Sequence, residues 1–70
     1  MDSITLHVRF APDGTVAEIS ERPTGLTPQQ WFNRLSEAVG GDAYRTFAGG
    51  RGVFSIGRAQ VEALKAAAAA

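Results

Sequence analysis

Seventy residues, 44% of them hydrophobic and 20% charged, make one small domain and leave no room for two. Seven Lys/Arg balance seven Asp/Glu, which excludes a bulk-basic nucleic-acid coat and an acidic disordered tail. The chain has no cysteine, so disulfide frameworks, zinc ribbons and thiolate enzymes are excluded too.

From Ser3 to Phe10 the apolar residues Ile4, Leu6, Val8 and Phe10 alternate with Thr5, His7 and Arg9. Period 2 predicts a half-buried strand. Pro12-Asp13-Gly14 marks a turn, because Asp-Gly tolerates positive φ. Thr15–Glu21 returns as a second strand. A two-residue Asp13-Gly14 loop pairs Phe10 with Ala17 and Val8 with Ile19, so Ala17 and Ile19 point inward. A three-residue loop pairs Ala11 with Thr15 and sets Val8 against Glu18. A one-residue slip inverts a whole face, so the first register is favoured.

Thr27 then reads as an N-cap, Pro28 as the first helical residue and Gln30 as the far arm of a capping box. Leu26 and Trp31 are spaced as a hydrophobic staple, a structural reason for the tryptophan that needs no ligand. The helix runs to about Val39, with Phe32, Leu35 and Val39 on one stripe. Gly40-Gly41 closes it in a left-handed cap.

Tyr44–Ala48 and Val53–Ile56 read as a second hairpin around Gly49-Gly50-Arg51-Gly52, with Arg51 at the exposed tip. The same register pairs Phe47 with Phe54 on the inner face. Gly57 starts a second helix as its N-cap, with Ile56 and Val61 as staple and Val61 and Leu64 facing the core. Phe10-Ala11, Val16 and Ile19 recur as Phe47-Ala48, Val53 and Ile56 at one constant offset, a weak ββα repeat.

The expected fold is α+β: a two-layer ββαββα domain, its four-stranded antiparallel sheet carrying two helices packed on one face. Residues 1–65 form the domain, in halves 3–40 and 43–65, and the alanine tail 66–70 is expected to fray. The pattern leaves strand order open. The expected core comprises Ile4, Leu6, Val8, Phe10, Ile19, Trp31, Phe32, Leu35, Val39, Phe47, Phe54, Ile56, Val61 and Leu64.

Strand parity assigns an outer sheet face. The residues expected there include His7, Arg9, Val16, Tyr44, Thr46 and Val53, with Thr5, Ala11, Glu18, Ser20, Ala48 and Ser55. This face fits a docking surface for a protein partner or a second copy of the chain. An ordinary solvated antiparallel sheet presents the same pattern. From Arg34 onward, Arg45, Arg51, Arg58 and Lys65 tilt the chain basic, and Arg45, Arg51 and Arg58 are candidate contacts for an anion or partner.

The sequence supports few chemistries. Gly49-Gly50-Arg51-Gly52 lacks the lysine and following helix of a phosphate loop. His7 is the only imidazole; Ser20 and Glu18 share its face, a combination any sheet surface offers. One histidine and scattered acids make a poor metal set. No cofactor and no enzymatic activity are expected. No apolar run approaches the ~20 residues of a membrane helix, and no signal peptide is visible. The Ala/Gly/Arg-rich composition suggests a bacterial chain in the cytoplasm.

The expected function is therefore a non-enzymatic protein-interaction or regulatory module. The alternative is a nucleic-acid-associated or phage-type inhibitory regulator acting through the arginines of the second half.

Overall fold

The computed structural model describes residues 3–39 and 41–69. Four strands form one antiparallel sheet: β1 (Ser3–Phe10), β2 (Val16–Ile19), β3 (Tyr44–Phe47) and β4 (Arg51–Gly57). Helix α1 (Pro28–Ala38) follows β2 and helix α2 (Arg58–Ala69) follows β4. The sheet order is β2-β1-β4-β3, so β1 and β4 are central and β2 and β3 are edges. This is a small α+β fold. α2 continues through the alanines to Ala69.

The period-2 pattern of β1 buries Leu6 and Val8, and Phe54 and Ile56 of β4, which pair with Leu6 and Ile4, are buried with them. Trp31 and Leu35 of α1 and Val61 of α2 complete one core cluster. Each of these large side chains contributes ~1.5–3 kcal/mol on burial. The capping box of α1 forms with both arms: Gln30 N–H donates to Thr27 Oγ1 at 3.1 Å, and Thr27 N–H donates to Gln30 Oε1 at 2.9 Å. The helix ends in extended backbone at Val39, whose N–H donates to the Leu35 carbonyl. The expected glycine cap involves Gly40, which lies outside the described residues.

The first hairpin uses both registers that the sequence allows. Val8 pairs with Ile19 and Arg9 with Glu18, but after Arg9 the register shifts and Phe10 pairs with Val16. Ala11 N–H donates to the Thr15 carbonyl at 2.7 Å, closing a three-residue loop. The Asp13 carboxylate accepts from the Thr15 hydroxyl at 2.7 Å and its N–H at 3.0 Å, and these two bonds hold its carboxyl below the ordinary value. Ala17 is thus the extra residue of a bulge. The bulge turns Val16 inward, where it is 6% exposed, and leaves Ala17 exposed. Both residues were expected on the opposite faces. Burying a valine in place of an alanine is the gain that sets the bulge.

The second hairpin differs more. Tyr44 pairs with Phe54, Thr46 with Gly52 and Phe47 with Arg51. Tyr44 and Thr46 therefore share the inner face with Phe54, against expectation, and Arg45 and Phe47 turn outward. Gly52 is the reason. A Cβ at that position would lie 2.9 and 3.0 Å from two Tyr44 ring carbons and closer still to its hydroxyl. The tyrosine ring fills the space that the glycine leaves. It packs edge-on against Phe32 at 5.5 Å and tilted on Phe54 at 4.7 Å, and Phe32 also meets Phe10 at 5.7 Å. Tyr44 and Phe47 are three apart and cannot both point inward. Tyr44 takes the core position, and Phe47 is left 54% exposed.

Arg51 is the first residue of β4 rather than a loop tip; Gly49 and Gly50 make the turn, both with positive φ. The repeat does not extend to environment. Phe10 lies on a central strand against the core, and its counterpart Phe47 lies exposed on an edge.

Candidate functional site

The outer face is built by β2, β1, β4 and β3 through strand alternation. Across the sheet, Glu18, Arg9, Arg51 and Phe47 form one row, and His7, Val53 and Arg45 form the next. All are exposed except the half-buried Val53. A depression of about 500 Å³ opens here, with Thr5, His7, Phe47, Ala48, Arg51 and Val53 in its lining. Three guanidinium groups thus face one carboxylate on this surface.

Arg9 and Glu18 pair at 2.9 Å, but both side chains are 69% exposed. Such a pair contributes ~0–1 kcal/mol and opens readily. Among the described residues, Arg45 and Arg51 have no carboxylate within ion-pair distance. Arg58 is elsewhere: it opens α2 and has Glu62 at 4.0 Å.

Of the expected site residues, His7, Arg9 and Val53 lie on this face. Val16, Tyr44 and Thr46 do not, because of the bulge and of Gly52. Arg45 and Arg51 join the face, and Phe47, expected in the core, supplies its one large exposed hydrophobic side chain. The sequence signal for Phe47 was Gly52: glycine inside a strand often marks close approach by another group.

Of the His7, Ser20 and Glu18 combination, the Ser20 and Glu18 side chains are engaged within the sheet. Ser20 Oγ accepts from the His7 backbone N–H at 3.0 Å, and Glu18 is paired with Arg9. A smaller depression of about 230 Å³ runs over these residues. Among the described residues no three His, Cys, Asp or Glu side chains cluster to hold a metal ion. No described helix is long and apolar enough to cross a membrane.

The Tyr44 hydroxyl is buried without a hydrogen-bond partner among the described residues, and burial pushes its pKa above the ordinary value. At the far end of β2, Glu21 adopts φ 63°, a left-handed conformation uncommon for a non-glycine residue. Its carboxylate accepts from Lys65 Nζ at 2.5 Å, tying the strand end to α2.

The two sheet edges are unlike. At β2, Gln29 Oε1 accepts from the Val16 N–H at 2.8 Å and Trp31 Nε1 donates to the Ser20 carbonyl at 3.1 Å, so α1 is fastened to both ends of that edge. At β3 the alternation can be followed from Gly50, whose carbonyl accepts from Phe10 in β1. Arg51 and Val53 then turn toward β3 and bond Phe47 and Arg45, which leaves the N–H and C=O of Thr46 pointing out of the sheet. No described residue outside the strand ladders bonds them.

Comparison with known proteins gives no match: no family model fits the chain, and no curated protein or solved structure matches it.

Proposed function

We propose that the chain is a non-enzymatic interaction module whose outer sheet face binds an acidic protein partner. The observation that carries this reading is the exposed Phe47 beside Arg45 and Arg51, two arginines with no carboxylate partner among the described residues. An aromatic anchor ringed by arginine is the composition of an interface centre. The positive face attracts acidic surfaces and disfavours stacking on a copy of itself, where guanidinium would meet guanidinium.

The test is site-specific photocrosslinking in the native host. A crosslinker at Thr5, on the face, is compared with one at Ala63, on the exposed side of α2. The expected result is one discrete protein adduct from Thr5 alone, lost on Phe47→Asp while the circular dichroism is unchanged. Equal adducts from both positions, or an adduct indifferent to Phe47→Asp, would overturn the reading.

A second reading has its own support. Phe47, Arg51 and Arg9 lie in one row, an arrangement in which a nucleobase stacks on the ring and phosphates meet the guanidinium groups. It requires binding of single strands that falls steeply with salt. Affinity for an oligothymidylate that stays constant between low and moderate salt excludes it.

A further inference from the structure

We infer that the partner binds as an added strand on β3, an extended segment placing a carboxylate against Arg45 and an apolar side chain against Phe47. This deepens the reading above and rests on it.

The asymmetry of the edges carries the inference. α1 lies against β2 and bonds the Val16 N–H and the Ser20 carbonyl at its two ends, whereas no described helix or loop residue bonds the outward N–H and C=O of Thr46. A strand laid beside β3 sits ~4.8 Å away and pairs its central residue with Thr46. The residues on either side of that one fall on the outer face, opposite Arg45 and Phe47. One meets a guanidinium that has no carboxylate partner among the described residues. The other meets an exposed ring at the rim of the 500 Å³ depression. Main-chain bonds supply affinity in this mode, and alternate side chains supply specificity.

β3 is four residues long and carries one charge, Arg45. Short length and a charge are the features that blunt indiscriminate edge pairing. Here the charge also selects, because a carboxylate on the incoming strand satisfies it. A second copy of the chain satisfies it less well. Two β3 strands paired about Arg45 set like charges directly opposite, which is destabilising. Paired about Thr46 they leave Arg45 without a carboxylate, and a four-residue ladder falls far short of the ~1,000 Å² a stable dimer needs.

The experiment titrates the ¹⁵N-labelled full chain with acetylated, amidated heptapeptides of sequence Thr-Thr-Leu-Thr-Glu-Thr-Thr and the Leu/Glu-exchanged order, which fit antiparallel and parallel addition. The expected result for one order is a saturable shift centred on the Thr46 amide and the Arg45 side chain. Methylating the peptide nitrogen that faces the Thr46 carbonyl (that of the central threonine in antiparallel addition, of the residue after it in parallel addition), or exchanging Glu for Lys, should weaken binding at least tenfold. Thr46→Pro should abolish it and keep the fold, since that N–H makes no bond within the sheet.

Shifts confined to His7 and Val53, with equal binding of the methylated peptide, would overturn strand addition and leave the face reading standing. Shifts on α2 alone, or none with either peptide, would overturn the acidic-strand inference. Concentration-dependent shifts at Thr46 without peptide would assign the edge to a second copy instead. A stronger response to octathymidylate than to either peptide would assign the face to nucleic acid.

Discussion

Replacing Gly52 with alanine is the sharpest perturbation of the site, because the face exists only if β3 keeps its register. The new Cβ would stand 2.9 and 3.0 Å from two ring carbons of Tyr44, where ~3.5–4.0 Å is comfortable. The ring has little freedom to yield, with Phe32 at 5.5 Å and Phe54 at 4.7 Å. Overpacking of this kind costs ~1–3 kcal/mol, and a domain of this size loses roughly 4–8 °C of Tm per kcal/mol. Tyr44→Phe acts in the opposite sense. It removes a buried hydroxyl that has no partner, an omission worth up to ~1 kcal/mol of added stability. It also removes the atom nearest the new Cβ. In the double variant, Gly52→Ala should therefore cost about 1 kcal/mol less than in the parent. Urea unfolding followed by circular dichroism measures all four corners of the cycle. A Gly52→Ala cost below about 0.5 kcal/mol, with strictly additive effects, would refute the argument that the tyrosine ring occupies the glycine's space.

Phe47→Ala should change stability by no more than about 0.5 kcal/mol, whereas Phe54→Ala should cost ~3–5 kcal/mol; equal losses would place Phe47 back in the core. Thr27→Ala should cost about 1 kcal/mol by opening the capping box, read as a lower urea midpoint at unchanged slope. Gln29→Ala strips the acceptor from the Val16 N–H and should cost ~1–3 kcal/mol, with faster exchange of the Val16 amide proton as the local readout.

The remaining prediction concerns pH. The Lys65 hydrogen bond and charge hold the Glu21 carboxyl below its ordinary value of 4.5. The stability it contributes is full above pH 4.5 and is lost as pH falls through the lowered folded value. Glu21 raises the Lys65 pKa above 10.5, so the same pair is lost again as pH rises beyond that raised value. Glu21→Gln should flatten the fall in stability below pH 4.5. Asp13, which its Thr15 bonds hold below 3.8, contributes to the fall in the same sense. An unchanged slope in urea midpoints measured between pH 2 and 6 would contradict this.

Local chemistry was legible in the sequence wherever one residue type answers to one geometric need. Thr27, Pro28 and Gln30 announced the start of α1, and Leu6 and Val8 announced the buried face of β1. The four antiparallel strands and two helices followed from the same periodicities. What escaped depends on competition between distant groups. Alternation alone cannot choose between Tyr44 and Phe47 as the inward residue of a four-residue strand. Phe32, Phe54 and the missing side chain of Gly52 decide it, and they come from two other elements. Val16 is a similar case. Its burial needs a bulge, which breaks the period that parity relies on, and the N–H released by the bulge needs Gln29 from α1. Strand order was equally silent, and with it the fact that Phe10 would be central and Phe47 peripheral. The candidate face was thus half visible: its position was legible, but its aromatic residue and the inward turn of Tyr44 were not.

The register of β3 bears the whole account of the face, so the most direct measurement is a nuclear Overhauser spectrum of the free chain. The account predicts contacts from the Tyr44 ring to the Gly52 α-protons and the Phe32 ring, cross-strand contacts between Arg45 and Val53, and a Phe47 ring without contacts to Phe54. Contacts between the Phe47 and Phe54 rings, with Tyr44 free of Gly52, would invert the strand and remove the site.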